Sequence, residues 1–81
     1  MSPNDVDKLV KNILGEVLGI DPKKISDKES LEIDLHADSL DFSEIFCLIG
    51  EEFKIEIPID DEDDIWKVSD LVQYVVRKVC K

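Results

Sequence analysis

Asp38-Ser39-Leu40-Asp41-Phe42-Ser43-Glu44-Ile45-Phe46-Cys47-Leu48-Ile49-Gly50-Glu51-Glu52-Phe53 is the stretch on which the reading of this chain turns. At about 100° per residue, Phe42, Ile45, Phe46, Ile49 and Phe53 gather on one side of a helix, so residues 39–53 are expected to form one with that side buried. Leu40, Cys47 and Leu48 fall on the other side among Asp41, Glu44 and Glu51. An apolar strip edged by carboxylates predicts a docking surface for a basic partner. Ser39 stands where the helix begins. A helix start has unpaired N–H groups and about half a positive charge, so it favours an anionic group bonded to its first residue. Ser39 therefore reads as an attachment point for a phosphate ester, with a plain capping serine as the simpler alternative.

On the N-terminal side, Ser2, Pro3 and Asp5 form a helix start, and Val6, Leu9, Val10, Ile13, Leu14 and Val17 follow at helical spacing up to Gly19. From Ile20 to Ala37 no period persists. Asp21-Pro22 marks a turn, and Ile25, Leu31, Ile33 and Leu35 are isolated apolar residues expected to pin a long loop that hides a short helical turn. On the C-terminal side, Lys54–Ile57 alternates like a strand but has no strand to pair with, and Pro58 closes it. The acidic run from Asp60 to Asp64 is expected to be a solvated loop or short helix. A last helix, capped by Ser69, carries Leu71, Val72, Val75, Val76 and Val79 on one face. The expected fold is all-α: a small four-helix bundle of three main helices and a short third one, with a long loop between the first two, all in a single domain spanning 1–81.

Charge narrows the function. The net charge is −10, and residues 27–64 hold fifteen acids against Lys28 and Lys54, a local −13. Such a field excludes nucleic acid and anionic membrane and selects basic protein surfaces. It also predicts a self-repelling fold that salt stabilises, with weakly bound divalent cations helping more. No apolar run reaches the length of a membrane span. Cys47 and Cys80 make no disulfide framework or metal-ligand spacing, so reduced thiols in a cytoplasmic setting are expected.

Two catalytic or metal readings fail on spacing. His36, Asp38 and Ser39 contain the residue types of a triad, but they lie within four positions rather than converging from separate elements, and no Gly-x-Ser-x-Gly elbow surrounds the serine. Asp60–Asp64 lacks the glycine and distal glutamate of a calcium loop, with Ile65 and Leu71 in their places. No catalytic residue and no metal site is expected.

Leu35-His36-Ala37-Asp38-Ser39-Leu40-Asp41, with Glu51-Glu52-Phe53, Glu56-Ile57-Pro58 and Tyr74 in the final helix, resembles an acyl carrier protein over nearly the whole chain. The resemblance implies a non-enzymatic carrier whose Ser39 bears a covalent 4'-phosphopantetheine, installed from coenzyme A by a phosphopantetheinyl transferase. It implies that Asp38 helps the transferase engage the site. It further implies that Asp41, Glu44 and Glu51 face the basic patches of acyl-transferring and condensing enzymes in fatty acid or related lipid or polyketide biosynthesis, and that the chain is a monomer. A short acyl chain sheltered between the second and third helices is a further implication. Two rival readings stand: a carrier of another cargo, polyketide or aminoacyl, and an acidic helical interaction module with no prosthetic group.

The departures from the family pattern point to specialisation. His36 replaces a usual glycine, Gly50 a common acid, Phe42 something smaller and Cys47 a larger apolar residue, while Trp66 sits in the segment entering the last helix. Gly50 is also expected to soften the second helix by about 1 kcal/mol relative to alanine.

Overall fold

The capping signals of the sequence are the joints of the fold. A computed structural model describes residues 2–80. The first helix, α1, spans Pro3–Leu18; its Ser2 hydroxyl and Asp5 carboxylate exchange hydrogen bonds with each other's backbone N–H, both at 3.3 Å. It ends at Gly19, whose left-handed backbone (φ 70°) returns its N–H to the Gly15 carbonyl. A 3-10 turn over Pro22–Lys24 follows, started by the Asp21 carboxylate. Helix α2 spans Ser39–Phe53, α3 is the four residues Ile59–Glu62, and α4 spans Val68–Val79. These four helices and the absence of strands among the described residues agree with the all-α expectation.

The core is the meeting of three apolar stripes. Val6, Val10 and Leu14 of α1, Ile45 and Ile49 of α2, and Val68, Leu71 and Val75 of α4 are fully buried, and the loop contributes Leu31 to the same cluster. Each fully buried aliphatic side chain stabilises the fold by roughly 1.5–3 kcal/mol before entropy is subtracted. Phe46 and Phe53 are buried as their wheel positions require. Phe42 is only half-buried: its ring stacks on Phe46 at 6.2 Å between centroids and leaves one side open. The expectation of a fully buried Phe42 is corrected on that point, because the ring faces a cleft shared with Ile33 and Trp66 rather than another helix.

The long loop is built by its own acids. The Glu29 carboxylate accepts from the Ser26 N–H and the Asp34 carboxylate from the Ser30 N–H, both at 2.7 Å. Asp27 is clamped to Lys11 of α1 at 2.8 Å. The loop backbone then caps α4: the Asp27 and Glu29 carbonyls accept from the N–H groups of Ser69 and Val68, and the Leu31 N–H donates to the Trp66 carbonyl, each at 3.0 Å. This corrects the expectation that Ser69 caps the last helix. Ser69 lies inside α4, and the side chain that closes the helix start is Asp70, whose carboxylate accepts from the N–H groups of Trp66 and Lys67. With Lys67 as the N-cap, Ser69 stands at the second helical position, and its N–H is taken by the Asp27 carbonyl.

Gly50 has a reason to be glycine. A Cβ there would stand 3.2 Å from the Ile55 carbonyl oxygen, because the chain turns back over the end of α2 and the Ile55 N–H bonds to the Gly50 carbonyl. The softness expected from helix propensity is thus offset by a turn that alanine would crowd.

Candidate functional site

The approach to α2 alternates between core and solvent. Leu35 and Ala37 are buried, while His36 and Asp38 are exposed. His36 reaches this alternation with φ 59°, a left-handed conformation that L side chains enter at a cost of about 1–2 kcal/mol. The position noted as a usual glycine is therefore one whose backbone asks for glycine. The Ala37 N–H anchors the turn on the Leu31 carbonyl at 2.9 Å.

Asp38 follows in extended conformation as the N-cap of α2. Its carboxylate accepts from the Asp41 N–H at 2.9 Å, and the Asp41 carboxylate accepts from the Asp38 N–H at 3.1 Å. This reciprocal box fixes the start of the helix within one turn. Ser39 is then the first helical residue and is exposed. Among the described residues its hydroxyl has no hydrogen-bond partner, and the N–H groups of Ser39 and Leu40 have no acceptor. A free nucleophilic oxygen thus sits beside two open N–H groups at the positive end of a fifteen-residue helix. That set fits a phosphodiester attached through the serine: the charge is favoured, the oxygen is accessible and no side chain must move. Ser43 and Ser69 lie within helices and Ser2 is spent on its own cap, so they lack this combination.

The predicted docking residues are not equivalent. Leu40 is 79% exposed and lines up with exposed Glu44, Cys47 and Glu51 along the outward edge of α2. The Cys47 thiol lies 3.7 Å from the Glu51 carboxylate. Asp41 is half-buried and engaged in the capping box, and Leu48 is half-buried against the core. The continuous strip is therefore Leu40, Glu44, Cys47 and Glu51. The wheel placed Leu48 among the outward residues, whereas its side chain is half-buried against the core.

A cleft lies beside the second and third helices, where the resemblance implied a shelter, but the sequence did not pick out the residues that line it. Ile33, Phe42, Phe46, Ile65 and Trp66 line a space of about 470 Å3 bordered by Glu32, Glu62 and Asp63, between the 30–34 turn, α2 and α3. Trp66 and Ile33 at its mouth are 71% and 76% exposed. Their residue types signalled burial, and only their surroundings show otherwise. A second tie was equally invisible: the Tyr74 hydroxyl of α4 donates to the Asp61 carboxylate of α3 at 2.7 Å. Burial first, and that bond second, push the phenol up to about 12. His36 makes no hydrogen bond to Asp38 or Ser39, and no three His, Cys, Asp or Glu side chains converge into a metal site among the described residues.

Residues 8–75 match the family model described as the phosphopantetheine attachment site. The chain is 42% identical over 69 residues to the acyl carrier protein of Bdellovibrio bacteriovorus, covering 85% of this chain and 88% of that one. It is 34% identical over 79 residues to the acyl carrier protein of Thermosynechococcus vestitus, covering 98% of each. A helical bundle of this order, matched end to end at such identity, belongs to the acyl carrier proteins, which hold acyl groups on a covalent 4'-phosphopantetheine and leave the catalysis to other enzymes.

Proposed function

We propose that Ser39 is the residue that bears the arm, and that the strip Leu40, Glu44, Cys47 and Glu51 presents it to basic surfaces of a phosphopantetheinyl transferase and of acyl-transferring and condensing enzymes. The observation that carries the assignment is the exposed Ser39 hydroxyl, unbonded at the first residue of α2 beside two open N–H groups. The arm, when bound, supplies a terminal thiol on which acyl groups ride as thioesters.

The chain's own residues perform the presentation. Asp38 and Asp41 lock the helix start, so the Ser39 backbone is fixed at the head of α2 and needs little reordering in the transferase. The N–H groups of Ser39 and Leu40 and the helix dipole stabilise the phosphodiester charge. Glu44 and Glu51, exposed and without a basic neighbour on α2, supply the long-range attraction that steers a basic partner onto the strip. Leu40 supplies apolar contact beside the serine. No described helix is long and apolar enough to cross a membrane, and a cytoplasmic monomer serving fatty acid or related lipid or polyketide synthesis is the setting this reading proposes.

Intact-mass measurement after incubation with coenzyme A and a broad-specificity transferase tests the assignment. The wild-type chain should gain one arm, and peptide mapping should locate it at Ser39. Ser39→Ala should fold, by its far-ultraviolet circular dichroism, and gain nothing. An arm on that variant, or at another serine of the wild type, would overturn the assignment.

A further inference from the structure

Among the described residues, two that are not glycine are held at positive φ: Lys54, which ends α2, and His36, which precedes it. Lys54 has a plain structural role. It is the C-cap of the helix, and its N–H returns to the Gly50 carbonyl. His36 has no such role. At φ 59° its side chain is exposed and has no hydrogen-bond partner among the described residues, while buried Leu35 and Ala37 on either side anchor the turn. Backbone strain that none of the residue's own contacts offsets points to function rather than to folding.

Charge says which function. His36 is the single histidine of the chain and the only residue between Lys28 and Lys54 that can carry a positive charge, in a stretch with eight carboxylates. The acids nearest it in the chain are occupied: Asp34 accepts from the Ser30 N–H, and Asp38 and Asp41 accept from each other's. From α4 the same turn meets Lys67, opposite Ser30, and Asp70, which accepts from the N–H groups of Trp66 and Lys67. Three residues of chain span at most about 11 Å, so the imidazole and a phosphate on the Ser39 oxygen come within reach of each other. A cation at that place opposes the helix dipole when alone and complements a phosphodiester when one is bonded to the serine. Histidine makes such a pair conditional, because its charge changes between pH 5 and 8.

We propose that His36 is a positioning residue for the arm: its imidazolium pairs with the phosphodiester on Ser39, across from the open N–H groups of Ser39 and Leu40, and pins the root of the arm to the head of α2. The neutral imidazole releases the root. This rests on the Ser39 reading and adds to it a device that sets how freely the arm swings, held in mildly acidic solution and loose in mildly alkaline solution.

The test uses the full chain loaded from coenzyme A, with the arm located at Ser39 by intact mass and peptide mapping. Phosphorus NMR then follows the phosphodiester, which keeps one negative charge throughout, as the solution is taken from about pH 5 to 8. The wild-type resonance should move in a single step, and the first methylene of the arm should lose mobility on the acidic side. His36→Gln should hold the resonance flat at the wild-type alkaline position. His36→Arg, which keeps the charge at every pH in the range, should hold it flat near the acidic position and restore the loss of mobility. In 1 M sodium chloride, where the screening length falls to about 3 Å, the wild-type step should shrink, which tests the pair without any substitution. A motionless wild-type resonance, a step that survives His36→Gln or one indifferent to salt would overturn the proposal. Failure to load Ser39 removes the attachment reading and the pair together, whereas a loaded chain with a motionless phosphorus resonance removes the pair and leaves the attachment standing.

Discussion

Helices α2 and α3 are both acidic and both follow a loop, yet different forces hold them. The first-turn acid of α2 is consumed: Asp41 and the cap Asp38 satisfy each other's N–H groups, and Ile45, Phe46, Ile49 and Phe53 are buried beneath. The three acids of α3 have no capping bond, none of its four residues is buried, and Ile59 is 79% exposed. What fastens the short helix is the Asp61 carboxylate under the Tyr74 hydroxyl. Similar charge therefore has opposite meanings in the two places. In α2 carboxylates stabilise local structure and leave the Ser39 hydroxyl unbonded; in α3 they repel one another and depend on one neighbour.

The comparison breaks most visibly if burial is removed. Ile49→Ala should cost about 2–5 kcal/mol in urea melts, because the side chain is fully buried in the core cluster and its site cannot collapse freely. Ile59→Ala on α3 should stay within about 0.5 kcal/mol. Similar losses would mean that α3 packs more tightly than its exposure indicates.

Removing a cap comes next. Asp38→Ala should cost about 1 kcal/mol by thermal melting. Asp41→Lys should cost at least as much, since it loses the box and puts a cation at the positive end of α2. Charge reversal at Asp41 therefore mixes docking with stability, whereas Glu44→Lys and Glu51→Lys should slow association with a basic partner and leave the melting midpoint in place.

His36→Gly runs in the other direction. Relieving a left-handed histidine should raise stability by about 1 kcal/mol in the same melts, despite the greater freedom glycine gives the unfolded chain. A fall instead would mean that the imidazole makes a stabilising contact.

Tyr74 sharpens the α3 side. Tyr74→Phe should accelerate amide exchange over residues 59–62 while costing the fold only about 0.5–1 kcal/mol. The folded phenol sits near 12, above its ordinary value of 10. Its stabilising contribution is thus complete below pH 10 and is lost as pH rises from 10 through 12. As the only tyrosine, it can be followed by tyrosinate absorbance, and a midpoint near 10 would dissolve the tie.

Screening is the smallest effect expected. Sodium chloride should raise the midpoint modestly by weakening repulsion over residues 27–64, and magnesium at matched ionic strength should add a little more around Asp60–Asp64. No change with either would mean that the carboxylate–amide bonds of the loop and of α2 already absorb the charge.

The sequence by itself determined what is local. Apolar residues repeating every three or four positions mark α1, α2 and α4, since a stripe must be buried wherever the helix lies. The cap Ser2 was legible because the N–H group it serves is three residues away; Asp38, which serves Asp41 over the same span, was passed over for Ser39 as the capping candidate. The same locality makes the serine at the head of α2 stand out. Tertiary structure decided everything that needs a partner distant in the chain. The carbonyls of Asp27 and Glu29 meet α4 some forty residues on and take the N–H groups of Ser69 and Val68 in its first turn, and no side-chain pattern records a backbone bond. Leu48 is half-buried against the core, a contact that a wheel of α2 alone does not record. Trp66 stayed in water because bonds to Asp63, Asp70 and Leu31 hold its residue at the rim of a cleft, where residue type alone would have sent it to the core.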